Sequence, residues 1–253
     1  MPLLLALLLG AVQGLTEFFP VSSSSHMKLI KMALGHSETP LIFDLACHLG
    51  TLAALVGYMR SEIWALLRTR RKELFTFFMA LLPLIPCYFL LSPLRSWATS
   101  SHFLGLFLMI TGGILFLGQK IRFYLIKRPM RDAFLIGVMQ SAALIPGISR
   151  SASTISCAQT LGWPQQEAVR FSFLLAIPTI IGGNLLESLS LLRHGGLKEA
   201  LSLPCFIGFT AAFCVGSLVV PLAMRVLERM NLKIFAWYCV SLGGAVTLFG
   251  LCR

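Results

Sequence analysis

The sequence predicts an all-α integral membrane protein with six transmembrane helices and two re-entrant helix–turn–helix hairpins, arranged as an inverted-topology repeat. Three observations predict it. The 253 residues are 57% hydrophobic and only 12% charged, against about 25% charged in a soluble domain. Six long apolar segments, roughly 41–59, 74–91, 103–118, 171–190, 201–224 and 234–251, are each able to cross a bilayer. Two further apolar regions, about 2–30 and 133–160, are each broken in the middle by a polar turn.

The first broken region opens the chain. "MPLLLALLLGAVQGLTEFF" lacks the basic n-region and the A-x-A site of a signal peptide. Its apolar stretch 2–12 is too short to span, since about 20 residues are needed. It reads as the first arm of a hairpin whose turn is "FFPVSSSSH". The second hairpin turns at "LIPGISRSAST". Irregular backbone at membrane depth is tolerated only where protein buries it or a wet cavity is lined by it, so both turns are expected to be internal.

Loop charge orients the spans. Residues 60–72 and 120–131 carry five basic residues each and 225–233 carries three, whereas 92–102 has one and 193–198 has two. The first three loops are expected to be cytoplasmic and the other two outside. Each half then reads as one hairpin followed by three spans. "GAVQGLTEFFPVSSSS" echoes "GVMQSAALIPGISRSAS", and "FDLACHLGTLAAL" faintly echoes "FSFLLAIPTIIGG". Three spans is an odd number, so the second half is inverted, both termini lie outside, and the hairpins meet near the midplane. The chain reads as a single membrane domain, 1–253, with 1–118 the first repeat and 133–253 the second.

The net charge of +11 need not mean nucleic acid in such a chain. It marks cytoplasmic loops and attracts anionic headgroups. The cysteines at 47, 87, 157, 205, 214, 239 and 252 form no C-x-x-C pair, and they read as small buried hydrophobes.

The chemistry lies in the two turns. Gln13 and Glu17 are four apart and share a helix face. Pro20 ends that helix, and Ser22 to Ser25 cap the next, followed by His26. The second turn places Ser149, Arg150, Ser151 and Thr154 behind Pro146-Gly147. Hydroxyls and free N–H groups at a helix N-terminus suit an anion, and an arginine fork suits phosphate oxygens. An arginine at membrane depth costs at least about 2.5–3.5 kcal/mol and needs a partner. Two readings stay open: an ion pair of Arg150 with Glu17 holding the hairpins together, or an anion site. His48 reads as a core histidine bonded to Asp44, and Asn184 and Glu187 as helix packing or an outer rim.

Together, "QGLTEFFPVSSSSH" and "PGISRSAST" resemble the paired motifs of undecaprenyl-diphosphate phosphatases of the bacitracin-resistance type, and "FSFLLAIP" at 171–178 is similar to that family too. The resemblance covers essentially the whole chain. It implies an inner-membrane bacterial enzyme that removes the terminal phosphate of undecaprenyl diphosphate, recycling the carrier for peptidoglycan synthesis, with a divalent cation, Mg²⁺ or Ca²⁺. By resemblance Glu17, His26, Arg150 and Ser23 are catalytic. Gln13, Ser22, Ser149, Ser151 and Thr154 bind substrate, and Glu17 and Gln13 face the metal. Gln13 stands where the family allows Glu or Gln, which removes one charge. His48 stands where the family more often has glutamine. The partners implied are a polyprenyl diphosphate lipid and the phospholipid bilayer, with room for a homodimer and none for nucleic acid. The resemblance favours access from the periplasm.

Two routes fit these residues. In one Glu17 activates a water and His26 relays a proton; in the other Ser22 or Ser23 attacks after His26 takes its proton. A transporter of lipid phosphate or small anions fits the inverted repeat equally well, and turnover separates the two. A purely structural protein has no reason to bury these groups, and no ring of carboxylates marks a channel.

Overall fold

The computed structural model describes residues 1–36, 39–94, 103–123, 129–193 and 202–251. Among them every regular element is helical. Twelve α-helices follow in order: α1 Leu3–Thr16, α2 Ser23–Ala33, α3 Leu41–Tyr58, α4 Arg60–Arg68, α5 Arg71–Leu81, α6 Leu84–Leu90, α7 Leu104–Lys120, α8 Pro129–Ser141, α9 Arg150–Thr160, α10 Gln165–Arg193, α11 Leu203–Arg229 and α12 Lys233–Leu251. Among the described residues five stretches are long and apolar enough to cross a membrane: α3, the α5–α6 run Glu73–Leu90, α10, α11 and α12. The sixth expected span, α7, is apolar but has 17 residues, about 25 Å of helix. The outer loops expected at 92–102 and 193–198 lie largely outside the described residues, as do much of the 120–131 loop and Cys252.

Leu4, Leu90 and Leu218 are 77–78% exposed. Apolar surface on that scale is unsuited to water and suits lipid tails. The protein is a multi-pass membrane protein. Two prolines, Pro178 in α10 and Pro221 in α11, stand inside helices, whereas three others sit where a missing N–H does least harm. Pro129 opens α8, Pro204 sits in the first turn of α11, and Pro83 separates α5 from α6.

At both expected turns the helix is interrupted and a second helix follows. α1 turns at 17–22 into α2, and α8 passes through a short 3-10 turn, Ala142–Leu144, into α9. The two returning helices match closely. Each has 11 residues and follows a serine, Ser22 or Ser149. Each ends at a glycine in the left-handed region, Gly35 at φ 70° and Gly162 at φ 87°. At both ends the backbone folds back, His36 N–H onto Lys31 O and Trp163 N–H onto Ala158 O, the Schellman pattern that satisfies late carbonyls. Ion and dipole contacts then tie each hairpin down. Lys31 of α2 holds both oxygens of Asp44 on α3, and Trp163 donates to Asp132 at the start of α8.

Packing crosses the sequence midpoint. α1 lies against α11, and α8 against α5; α3 packs chiefly on α11 and less on α10, and α7 packs on α12. The α1–α11 seam is close because it is built on glycine. A β-carbon at Gly10 would stand 2.5 Å from the Gly208 carbonyl oxygen, nearer than any real contact. Gly10→Val is expected to lower thermal stability in detergent by roughly 1–3 kcal/mol through overpacking. Gly113→Val, at a position with nothing within 4 Å, is expected to leave the melting midpoint nearly unchanged. Equal midpoints for the two variants would show that the seam is looser than described.

Candidate active site

Glu17 ends α1 as its C-cap and is the hub on which the two turns converge. Its Oε1 accepts from Arg150 Nη2 at 3.0 Å. Its Oε2 accepts from Ser23 Oγ at 2.6 Å and from Gln13 Nε2 at 2.9 Å. Glu17 and Arg150 side chains are 7% and 16% exposed, so this is a buried ion pair between residues of the two hairpins. The structural pairing read from the sequence is therefore present. An ion pair alone does not account for the surroundings. Beside it lies a cavity of about 300 Å³. Its walls include Glu17, Ser22, Ser23, Ser24, Ser149, Arg150 and Ser151.

Each turn is shaped by a backbone that few residues adopt. Ser22 has φ 65°, the one positive φ among the described non-glycine residues. Such strain is stored chiefly at functional sites. Ser22 does not cap α2 through its side chain; its Oγ instead meets Ser24 and Ser25 at 3.2 and 3.0 Å. In the second turn Gly147 has φ +105°, and a β-carbon there would stand 2.6 Å from Phe107 Cβ, so only glycine fits. Ser149 caps α9, accepting from Ala152 N. Its Oγ also lies 3.2 Å from Ser151 Oγ, and Ser151 donates to Phe19 O of the first turn. The N-termini of α2 and α9 thus both meet the cavity through serines. Their unsatisfied N–H groups and dipoles favour an anion there.

Three expected site residues stand elsewhere. Gln13 is fully buried, does not line the cavity, and turns its NH₂ to Glu17, leaving Oε1 without a partner. Thr154 donates to Arg150 O and meets Ser172 Oγ at 2.6 Å; it anchors α9 to α10. His26 sits behind the first turn. Its Nδ1–H donates to Ser22 O at 2.8 Å, so Nε2 accepts from Tyr238 OH at 2.7 Å. Both ring nitrogens are engaged, and the ring is not on the cavity wall.

Other residues take part that the sequence reading placed differently. His48, read as a core histidine bonded to Asp44, does donate from Nδ1, but to the Asp44 backbone carbonyl at 2.8 Å. The Asp44 carboxylate belongs to Lys31. His48 lines the cavity, with Nε2 4.0 Å from Glu17 Oε2. Asn184 and Glu187 are cavity wall and not only packing or rim. Thr111 of α7, unremarked in the sequence, pins the second turn: it donates to Gly147 O and accepts from Ser149 N. A lone hydroxyl or imidazole within an apolar span is the signal that marks such residues.

No group of three or more His, Cys, Asp or Glu side chains able to hold a metal occurs among the described residues. The donors on the cavity wall are the carboxylates of Glu17 and Glu187, the His48 ring, the Asn184 amide and the serine hydroxyls. That fits a hard cation completed by phosphate oxygens, not a closed protein cage.

Comparison with known proteins adds the following. The profile of the family described as "Bacitracin resistance protein BacA" matches residues 6–245. An "Undecaprenyl-diphosphatase" of Protochlamydia amoebophila is 37% identical over 249 residues, 96% of this chain and 97% of the relative. One of Geobacter sulfurreducens is 36% identical over the full length of both. One of Salinibacter ruber is 37% identical over 94% of this chain and 96% of the relative.

Removing one member of the buried pair strands the other. Arg150→Ala is expected to cost about 3–5 kcal/mol of stability. Glu17→Gln combined with Arg150→Met is expected to recover most of it, as read by thermal melting in detergent. Thr111→Val is expected to cost about 1–3 kcal/mol, because it leaves a buried N–H of Ser149 unpaired.

Proposed function

The chain belongs to the bacitracin resistance protein BacA family, and we propose on that basis that it is a membrane phosphatase. It hydrolyses undecaprenyl diphosphate to undecaprenyl phosphate and inorganic phosphate. It recycles the lipid carrier of peptidoglycan synthesis and confers bacitracin resistance. The observation that carries the mechanism is the meeting of Glu17 and Arg150, from two motifs 133 residues apart, on one wall of one cavity.

The diphosphate is multiply anionic, so positioning and charge neutralisation dominate catalysis. Ser22, Ser23, Ser149 and Ser151, with the N-termini of α2 and α9, cradle its oxygens. Arg150 exchanges its single contact with Glu17 for the fork of the incoming phosphate. That exchange frees Glu17 Oε1, which takes a proton from the attacking water. The water oxygen bonds to the terminal phosphorus, and the bond to the bridging oxygen breaks. The lipid monophosphate leaves with the electron pair. His26, expected by resemblance to relay a proton, has both ring nitrogens engaged, with Ser22 O and Tyr238 OH, and this reading gives it no step. The serine route keeps Ser23 as its nucleophile, but that hydroxyl donates to Glu17 at 2.6 Å and Glu17 would be the base. The water route is preferred, and trapping a phosphoserine would reverse that preference. A divalent cation, Mg²⁺ or Ca²⁺, would be held by Glu17 and would neutralise phosphate charge; Gln13 contributes behind Glu17 by holding Oε2.

The inverted repeat of 1–118 and 133–253 is supported by the matched hairpins and by the crossed packing, α1 on α11 and α8 on α5. Six spans, with two re-entrant hairpins, follow when α7 is counted as crossing. The cavity is lined by Leu45 and His48 early in α3 and by residues 179–187 late in α10. Under the loop-charge orientation these belong to the outer half of the membrane. That supports a site open to the periplasm in the bacterial inner membrane. The wide lipid-facing surface leaves room for a second copy, as a homodimer, and the reading includes no nucleic acid.

Phosphate release from undecaprenyl diphosphate by the detergent-purified protein tests this. It is expected with Mg²⁺ or Ca²⁺, to stop with chelator, and to fall at least about 100-fold in Glu17→Ala and Arg150→Ala. Folded wild type that binds the lipid and releases no phosphate would point to a transporter instead.

A further inference from the structure

His48 presents a geometry that the proposed mechanism leaves unused. Its Nδ1–H donates to the Asp44 carbonyl at 2.8 Å. A carbonyl only accepts, so Nδ1 carries a proton, and in the neutral ring Nε2 carries the lone pair. Nε2 faces Glu17 Oε2 at 4.0 Å. Two lone-pair donors therefore confront one another. The separation is too long for a hydrogen bond between them. It matches two ligands of one ion, since atoms about 2.1 Å from a common cation stand roughly 3–4.2 Å apart.

Its surroundings have the form of a metal site. An imidazole that ligates a metal through Nε2 usually donates its other N–H to a carbonyl or carboxylate, which fixes tautomer and ring orientation. The Asp44 carbonyl does so here. Ser23 Oγ stands 2.6 Å from the same Glu17 oxygen, and its hydroxyl becomes a further oxygen donor once its proton turns away. Asn184 also belongs to the cavity wall. Its Nδ2 donates to Ile180 O at 3.0 Å, which fixes the amide orientation. Its buried Oδ1 is then left without a partner.

We infer that His48 Nε2 and a Glu17 oxygen are ligands of the divalent cation, making this an oxygen-rich site with one nitrogen. This rests on the metal-dependent phosphatase reading above and deepens it. Glutamine, the more usual residue at this place by resemblance, would offer an amide oxygen instead. A nitrogen ligand shifts preference from Ca²⁺ toward transition-metal ions such as Mn²⁺, in the direction of ligand softness.

The test uses Mn²⁺ as the probe, on the detergent-purified full chain, alone and with inorganic pyrophosphate. Pulsed EPR is expected to show ¹⁴N coupling from one imidazole in wild type. The coupling is expected to vanish in His48→Gln and to persist in His26→Gln, whose ring is off the cavity wall. Mn²⁺ affinity relative to Ca²⁺ is expected to fall at least about 10-fold in His48→Gln. Wild type without ¹⁴N coupling, coupling that survives His48→Gln, or no Mn²⁺ binding under either condition overturns the inference. Phosphate release measured on the same samples separates the two levels. Hydrolysis without imidazole coupling removes His48 and keeps the phosphatase. Coupling without hydrolysis keeps the metal site and removes the phosphatase.

Discussion

The Glu17–Arg150 pair is the constraint on which the rest depends. An arginine side chain 16% exposed is unstable without a counter-charge. Its partner comes from the other hairpin, so the two turns hold one another in place. The same contact sets the resting state of the site: the carboxylate is covered by Arg150, Ser23 and Gln13, and the guanidinium is one exchange away from a phosphate. Stability and chemistry thus compete for the same two side chains, as expected where binding energy is used to rearrange a preorganised site.

The fold was largely readable because membrane solvent imposes simple rules. Spans show as apolar runs, and a polar turn within one must be internal. The helix bounds agree with the expected segments at α3, α11 and α12. α10 starts at Gln165, before the expected 171, because the amphipathic "QQEAVR" continues the helix beyond its apolar part. The motifs were readable as a pair because each is a serine-rich turn followed by an 11-residue helix. What did not show was helix phase. Thr154 lies one turn beyond Arg150, and that turn carries its hydroxyl to Ser172 of α10 rather than to the cavity.

The histidines show the same limit more sharply. His26 is near the serines in sequence, yet the left-handed Ser22 swings the start of α2 so that the imidazole grips the Ser22 carbonyl from behind. Its other partner, Tyr238, is 212 residues away, and no local pattern marks it. His48 lies in a span that looks like ordinary core, yet it faces Glu17 because α3 passes the turn of the first hairpin. Proximity along the chain pointed to His26, while the cavity wall carries His48. Only the packing of three separate elements distinguishes them.

The crossed packing has a further consequence, in time. α1 is made well before its main partner, α11, which emerges about two hundred residues later. At bacterial synthesis rates of about 5–20 residues per second that is a wait of roughly 10–40 seconds. Throughout it the first hairpin has neither the length to span the bilayer nor the glycine seam that seats it. The half-made protein must therefore keep this hairpin at the membrane surface or in the care of the insertion machinery. Its assembly finishes from the end of the chain back to the beginning.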